Sequence, residues 1–186
     1  MKLFYFDTET TGTDPKRNAI VQLAYIVEID GKVIREGNML IKPFEGAKIE
    51  PEALKVNKRT EEEITQEPFK DFFASYKYFV RMLDTHIDRY NREDKFIMVG
   101  HNVHFDANFL SEFFKKNGDK YYGSYFGTQI CTRVLLSYMG YKGLIKLHNY
   151  KLVTACQHYD IELDAHDAMN DIRATRELFL KLQEEG

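Results

Sequence analysis

The stretch LFYFDTETTG, residues 3–12, combines the pattern of a buried strand with two acidic side chains. It opens with an apolar run and then places two acids, Asp7 and Glu9, with one residue between them. Side chains alternate faces along a β-strand, so these two acids project from the same face at the end of a strand that reads as buried. Like charges this close repel each other, and removal from water destabilises each of them further. Either a shared proton neutralises the pair or a cation lies between them.

Composition and length are those of an ordinary globular protein. The chain has 186 residues, of which 44% are hydrophobic and 30% charged, and this predicts a single domain over residues 1–186. No segment is apolar enough to span a membrane, and the N-terminus lacks a signal-peptide layout. Two isolated cysteines suggest reduced thiols, so we expect a cytoplasmic protein. A net charge of −3 argues against coating long nucleic acids by electrostatics alone, but not against gripping a short end.

The order of apolar patterns predicts an α/β fold. After the first strand, two further strands flank an Asp30-Gly31 turn. The segment 69–90 then predicts an amphipathic helix. Its expected core face comprises Phe72, Phe73, Tyr76, Phe79, Val80 and Leu83. FIMVG (96–100) predicts a central strand and TQICT (128–132) an edge strand, with helices between and after them. The sequence therefore predicts a mixed five-stranded sheet flanked by helices.

Two more acids fall on core-facing positions of predicted helices. Asp171 lies at the edge of the apolar stripe of the last helix, and Asp106 lies on the apolar side of the middle helix. Taken alone, each could cap a helix or pair with a buried arginine, and capping is the simpler interpretation of Asp106. Together with Asp7 and Glu9, they place four acids on three elements, and one or two divalent cations would satisfy all of them.

His166 precedes Asp171 by five residues, a spacing that would separate the two side chains within one continuous helix. We therefore expect His166 in the approach to the helix, free to reach the cations. An imidazole of near-neutral pKa at such a site is a candidate general base.

Three segments carry a family resemblance: FDTETTG (6–12), HNVHFDANFL (101–110) and HDAMNDIRAT (166–175). In this order and with these separations they resemble the DEDDh, or DnaQ-like, 3′–5′ exonucleases, a family that includes the proofreading subunit of bacterial replicative DNA polymerase. The resemblance extends over essentially the whole chain. It implies an RNase H-like sheet with the active site at its edge. It also assigns roles by position: the metal ligands would be Asp7, Glu9, Asp106 and Asp171, and the catalytic base His166.

The chemistry that the resemblance implies is hydrolysis with two Mg²⁺ or Mn²⁺ ions about 4 Å apart, which hold the scissile phosphate between them. Thr10, Thr11 and Gly12 match positions that meet the terminal nucleotide in the family, although a simple turn would also explain them. Asn102 matches another substrate-binding position, with a buried backbone contact as the alternative. Hard oxygen ligands favour Mg²⁺ or Mn²⁺ over zinc.

The sequence departs from the family pattern in a few places. Gln22 stands where many members have Glu, and Cys131 where many have Asp. Asn57 and Lys58 follow Val56, where His and Gly are frequent. None of these positions is an expected metal ligand. Local hydrogen bonds and contacts near the substrate end are therefore what these departures put in question.

The leading functional hypothesis is an exonuclease that removes nucleoside monophosphates from single-stranded or frayed DNA 3′ ends, with a DNA polymerase subunit as a candidate partner. The same chemistry on RNA is a close rival, since nothing in the sequence reveals a pocket for the 2′-hydroxyl. A catalytically silent binding module is a weaker third, because all four acids and the histidine are present. KYYGSYFG (120–127) is either a base-stacking loop or, more simply, aromatic packing.

Overall fold

The computed structural model describes residues 1–164 and 167–184. It contains a five-stranded sheet of order β3-β2-β1-β4-β5, in which β1 pairs antiparallel with β2 and parallel with β4. The strands are β1 (Lys2–Thr10), β2 (Ile20–Ile29), β3 (Lys32–Leu40), β4 (Phe96–Gly100) and β5 (Phe126–Cys131). Because β1, β4 and β5 run parallel, their carboxyl ends meet at one edge of the sheet. The predicted mixed sheet is confirmed, with β5 as an edge strand.

The described helices pack on both faces of this sheet. They are α1 (Pro51–Val56), α2 (Glu61–Thr65), α3 (Phe72–Asp84), α4 (Val103–Lys116), α5 (Tyr122–Tyr125), α6 (Thr132–Tyr141), α7 (Leu152–His158) and α8 (Ala168–Glu184). None of the helices in the described part of the chain has the length and apolarity needed to cross a membrane.

The turn between β2 and β3 follows from its two residues. Asp30 and Gly31 both have positive φ, 49° and 78°, the combination that a two-residue hairpin turn requires. Ile29 therefore pairs with Lys32, and the ribbon places Gln22 of β2 opposite Glu9 of β1. The predicted hairpin is confirmed, and its register brings β2 side chains to the site edge.

The alternation of β1 divides the core into two layers. Phe4 and Phe6 face a large aromatic cluster with α3 and α4, whereas Leu3 and Tyr5 face α8 on the other side. All four residues are buried, so Asp7 and Glu9 continue the α8 side of the strand, as the pattern predicts.

One residue of the expected α3 core face is misassigned. Phe72 packs edge-to-face on Phe113, but Phe73 is 51% exposed, with the Lys77 ammonium 4.3 Å from its ring centroid. Adjacent helical residues differ by about 100° in direction, so a face that buries Phe72 turns its neighbour outward. Including Phe73 in the core face was wrong because that face was drawn too wide.

The aromatic segment 120–127 packs into the core. Tyr122, Tyr125 and Phe126 all contact the Phe114 ring, with ring centroids 5.5, 5.9 and 6.2 Å away. Phe126 pairs with Phe96 at the beginning of β4, the end of the sheet remote from the carboxyl ends of the parallel strands. The packing interpretation is confirmed for Tyr125 and Phe126, which are buried, and for the half-buried Tyr122, whereas Tyr121 is 53% exposed.

Candidate active site

Three carboxylates converge at the carboxyl end of β1. Asp7 and Glu9 of β1 and Asp171 of α8 each offer an oxygen, and these oxygens all lie within 4.8 Å of one another. Ligand atoms gathered in this way can share one hard cation. The pairing of Asp7 with Glu9 follows from strand alternation, and the approach of Asp171 follows from the packing of α8.

Helix α8 positions Asp171 near Asp7 and Glu9 because the apolar stripe of the helix packs on the sheet. Ala168, Ile172 and Phe179 are buried against the Leu3 and Tyr5 face of β1. Asp171 belongs to the first turn of this helix and lies at the edge of the stripe. The helix that buries the stripe therefore holds a carboxylate over the end of β1.

The N-terminus of α8 is fixed by a residue that the sequence analysis did not select. The Asp167 Oδ1 atom accepts hydrogen bonds from the backbone N–H groups of Met169 at 3.1 Å and Asn170 at 3.2 Å. Its Oδ2 atom accepts one from the Gln22 amide at 3.1 Å, and that amide also donates to Asn38 on β3. Gln22, identified only as a departure from the family pattern, thus ties the first turn of α8 to the sheet. An acid directly before the helix was the available signal.

Asp106 approaches the same strand from the opposite layer. It is buried in the first turn of α4, and its Oδ1 atom accepts hydrogen bonds from the Thr8 backbone N–H at 3.0 Å and hydroxyl at 2.6 Å. The N-cap position of α4 belongs to Asn102, so capping does not explain Asp106. Asp106 is not one of the three clustered carboxylates among the described residues. Thr8 holds it there because Thr8 faces the α4 side of the strand.

Burial and mutual repulsion make negative charge unfavourable here. Burial, followed by the charges of Asp106 and Asp171, raises the pKa of Asp7 well above its ordinary value. Burial and Asp171 raise the pKa of Glu9 to about 7, although the nearby Arg59 lowers it. Burial also raises the pKa of Asp106 to about 7, against the lowering effect of the Thr8 hydrogen bonds. Carboxylates with pKa values raised in this way are stabilised either by protonation or by a bound cation.

The loop after β1 is held by a hydrogen bond within it and by another to the segment that follows β3. The Thr10 hydroxyl donates to the Gly12 carbonyl at 2.7 Å, and the Thr11 hydroxyl donates to the Lys48 carbonyl at 2.7 Å. A Cβ on Gly12 would lie 2.4 Å from the Asn18 amide, so only glycine fits there. The turn interpretation therefore accounts for these side chains, and their contact with a nucleotide stays a prediction.

Two further asparagines differ in their relation to this loop, since Asn57 contacts it and Asn102 lies at the N-cap position of α4. Asn57, at a departure from the family pattern, is buried and donates through its side chain to the Thr10 carbonyl at 2.9 Å. Asn102 is exposed at the end of the sheet with φ 70°, a left-handed conformation that asparagine tolerates. Its exposure excludes the buried-contact alternative and leaves a nucleotide contact as a prediction.

Of the histidines in the motifs, the structure describes His101 but not His166. His166, the predicted base, lies outside the described residues. The two ring nitrogens of His101 are 2.9 Å from the Thr132 hydroxyl and 3.0 Å from the Tyr150 carbonyl. Burial lowers the pKa of His101 to about 4, so it is neutral at physiological pH. Both ring nitrogens of His101 are thus used in local hydrogen bonds.

Known proteins resemble the chain in both sequence and fold. A family described as Exonuclease matches residues 4–179. The PolC-type DNA polymerase III of Lacticaseibacillus paracasei is 28% identical over 183 residues, covering 97% of this chain and 11% of the polymerase. Ribonuclease T of Wigglesworthia glossinidia brevipalpis is 30% identical over 186 residues, covering 95% of this chain and 81% of the ribonuclease. Escherichia coli exonuclease I in complex with a dA16 oligonucleotide superposes with a TM-score of 0.78 at 22% identity, covering 98% of this chain and 40% of that one.

These coverages mean that the chain spans only a minor part of the polymerase and of exonuclease I, but most of ribonuclease T. The sheet and its flanking helices have the RNase H-like exonuclease fold of exonuclease I. The family match extends from β1 to α8, and so includes every element that carries an acid of the site. The chain is therefore a member of the DEDDh, or DnaQ-like, family of 3′–5′ exonucleases.

Proposed function

We propose that this protein is a metal-dependent 3′–5′ exonuclease that hydrolyses the terminal phosphodiester bond of single-stranded or frayed DNA and releases nucleoside monophosphates. The observation that carries the proposal is the convergence of Asp7, Glu9 and Asp171 within 4.8 Å. Among the described residues, no lysine or arginine forms a salt bridge with Asp7, Glu9 or Asp106. The absence of a salt bridge to these three acids supports a site for cations that come from outside the chain.

The residues fit divalent cations. Exonucleases of this family depend on such ions, and the donors here are carboxylate oxygens, which suit Mg²⁺ or Mn²⁺. We assign two ions to Asp7, Glu9, Asp106 and Asp171, with Asp7 placed between the other acids. When bound, such ions polarise the phosphate and favour ionisation of the attacking water.

The remaining roles belong to the chain itself. His166 would accept the proton of the attacking water as general base, since an imidazole titrates near neutral pH. The loop of Thr10, Thr11 and Gly12 would meet the terminal nucleotide through backbone groups, while Asn102 would contact it from the end of the sheet. We further propose that residues 1–186 act as one exonuclease domain in the cytoplasm.

DNA and RNA are each supported by one observation. Exonuclease I, which superposes on the chain, is seen with a deoxyadenosine oligonucleotide, and this supports DNA. Ribonuclease T matches over 81% of its own length, and this supports the exoribonuclease alternative. The PolC-type relatives support a DNA polymerase as a candidate partner. A silent binding module is the weakest alternative, because the four acids are all retained.

A gel assay tests the proposal. DNA and RNA oligonucleotides of matched sequence, labelled at the 5′ end, would be incubated with Mg²⁺, Mn²⁺ or EDTA. We expect a ladder that shortens one nucleotide at a time from the 3′ end and disappears with EDTA. Asp7→Asn should abolish it, while Glu93→Gln, which changes an exposed acid outside the site, should not.

The pattern of cleavage decides between the alternatives. Faster cleavage of one sugar names the substrate. Intact oligonucleotides from a folded protein that binds metal would overturn the exonuclease and leave the binding module. Cleavage that persists in Asp7→Asn would show contamination by another nuclease, and so remove the assay's support for this site.

A further inference from the structure

A stretch of the chain outside the carboxylate site carries charge of the opposite sign. Between Asp119 and Asp160 the sequence contains no Asp or Glu, although the chain as a whole has 29 acids and a net charge of −3. The cations of this stretch are Lys120, Arg133, Lys142, Lys146 and Lys151. Within the described residues, none of these five takes part in a salt bridge. Their charges are therefore available to an anion.

Helix α6, in the middle of this stretch, also exposes apolar and aromatic side chains. Val134, Tyr138 and Tyr141 follow one another at helical spacing and are 63%, 59% and 86% exposed. The opposite side of α6 packs in the core, since Leu136 and Met139 are buried against α7 and α8. In the part of the chain that the structure describes, neither tyrosine ring stacks on another ring. Two exposed tyrosine rings therefore lie on a helix that has Arg133 in its first turn and Lys142 and Lys146 after its last residue.

This helix begins at the edge of the sheet that carries the carboxylates. It follows directly on Cys131, which pairs with Gly100 of β4, and its first residue, Thr132, contacts His101 at 2.9 Å. The loop that follows α6 returns to the same edge, because the Tyr150 carbonyl contacts the other His101 nitrogen at 3.0 Å. The part of this stretch between Thr132 and Tyr150 is therefore anchored at both ends to His101, just after β4, the strand that pairs with β1.

We infer that the outer surface of α6 and its following loop, consisting of Arg133, Tyr138, Tyr141, Lys142 and Lys146 and here named the α6 surface, binds the single-stranded part of the substrate upstream of the 3′ end. A single strand offers regular phosphates to lysines and flat bases to exposed tyrosine rings, and this surface presents both partners. The inference rests on the proposed function, because it gives the surface the same nucleic acid that the carboxylate site would cleave.

Fluorescence anisotropy in EDTA, with 5′-fluorescein-labelled dT and rU oligomers of about 16 nucleotides, tests the α6 surface. A plot of the logarithm of the association constant against the logarithm of the salt concentration has a slope that reports phosphate contacts. Lys142→Ala/Lys146→Ala should reduce the magnitude of this slope by about 1.4, or about 0.7 for each lost phosphate contact. Tyr138→Ala/Tyr141→Ala should weaken binding at least about fivefold with the slope unchanged, since stacking involves no counterion. The two variants thus separate electrostatic from stacking contributions.

Matched controls come from the opposite end of the sheet. Lys32→Ala/Arg92→Ala removes the same charge from exposed positions, and Tyr90→Ala removes a ring that is 80% exposed. Both should bind as wild type does. Equal weakening by the charge control and the α6 variants, or no weakening by either α6 variant, would overturn the inference and leave the surface to a protein partner.

The two proposals fail differently. If wild-type protein cleaves oligonucleotides while the α6 variants bind them normally, the α6 surface is refuted and the exonuclease stands. If wild-type protein binds through the α6 surface but cleaves neither DNA nor RNA with metal present, the exonuclease is refuted and the surface stands.

Discussion

Asp106, which is buried, and Asp7, which is half-buried, are held in different ways. Asp106 accepts two hydrogen bonds from Thr8, and hydrogen bonds to a carboxylate stabilise its charged form. Within the described residues, no hydrogen bond reaches the Asp7 carboxylate, and the charges of Asp106, Asp171 and Glu9 all raise its pKa. Asp7 therefore depends most on an added cation, and Asp106 on its neighbour in the strand.

Replacing Asp7 should stabilise the metal-free protein. We expect Asp7→Asn to raise the melting temperature in EDTA near pH 8 by about 2–8 °C, because a repelled charge is removed. Wild-type protein should gain stability on addition of Mn²⁺, about 2.7 kcal/mol at 100 times the Kd, and the variant should lose most of this gain. Differential scanning fluorimetry measures both changes. An equal Mn²⁺ shift in the two proteins would remove Asp7 from the metal site.

We expect the hydrogen bond from the Thr8 hydroxyl to Asp106 to stabilise the folded protein. Thr8→Val keeps the shape of the side chain but removes the hydroxyl that lies 2.6 Å from Asp106 Oδ1. We expect the free energy of unfolding in urea to fall by about 1.5–3 kcal/mol, the usual loss for a hydrogen bond to a charged group. Thr128→Val, at an exposed position of β5, is the matched control and should change it by less than about 0.5 kcal/mol. Equal losses in the two variants would contradict the assigned contact.

At the scale of elements, the entry of α8 decides where Asp171 lies. Asp167 caps the helix with one carboxylate oxygen and accepts the Gln22 amide of β2 with the other. The strand thereby fixes the first turn, which is also the turn that contains Asp171. A helix held only by its apolar stripe could shift along the sheet, because burial is not directional.

Removing this cap should affect both stability and the site. Asp167→Ala is expected to reduce the free energy of unfolding by about 0.5–2 kcal/mol and to raise the metal concentration for half-maximal binding on the order of tenfold. Asp71→Ala removes a comparable cap from α3, where Asp71 accepts the Ala74 N–H at 2.8 Å. It should cost about the same stability without changing metal binding. Calorimetric titration with Mn²⁺ compares them, and equal affinities would show that the cap does not position the site.

At the scale of the whole molecule, the site unites both layers of the fold. Asp106 reaches the end of β1 from the α4 layer, and Asp171 reaches it from the α8 layer. The central strand contributes to both, because successive side chains of β1 face opposite layers. The acids consequently lie near the same end of β1, where the charges of Asp106, Asp171 and Glu9 all raise the pKa of Asp7.

This charge predicts a pH dependence of stability. The pKa of Glu9 is raised to about 7 in the folded protein, so the folded state binds its proton more tightly than the unfolded state does. Its contribution is therefore present at low pH and is lost as pH rises from about 4.5 through about 7. In EDTA, Glu9→Gln should gain stability over wild type progressively across this window. His101, whose pKa is lowered, titrates in both proteins and cancels from the difference.

Urea unfolding of both proteins at intervals between about pH 4.5 and pH 8 measures this difference. We expect it to grow by at least about 1 kcal/mol, since one unit of pKa corresponds to about 1.4 kcal/mol. Saturating Mn²⁺ should abolish or reverse the gain, because a cation relieves the repulsion in wild type. A difference independent of pH would contradict the raised pKa of Glu9.

Features that depend on local periodicity could be predicted from the amino-acid sequence. Alternation along residues 3–12 placed Asp7 and Glu9 on one face, the Asp30-Gly31 pair fixed the hairpin, and the stripe of α8 left Asp171 at its edge. Such features depend on the direction of side chains within one element, which backbone geometry sets. Phe73, which was assigned to the core face but is exposed, shows where such predictions fail. Periodicity gives the direction of the buried face of a helix but not its width.

The contacts between distant residues depend on tertiary packing and could not be predicted from the sequence. The Thr8–Asp106 contact joins residues 98 apart in the chain, and the Gln22–Asp167 contact joins residues 145 apart. The residue type does not predict either partner, because a threonine or a glutamine on a strand can form many different local hydrogen bonds. Sheet order and helix packing bring these groups within hydrogen-bonding distance. The sequence thus determined which acids turn toward the site, and the packing of two layers on β1 decided how each acid is held.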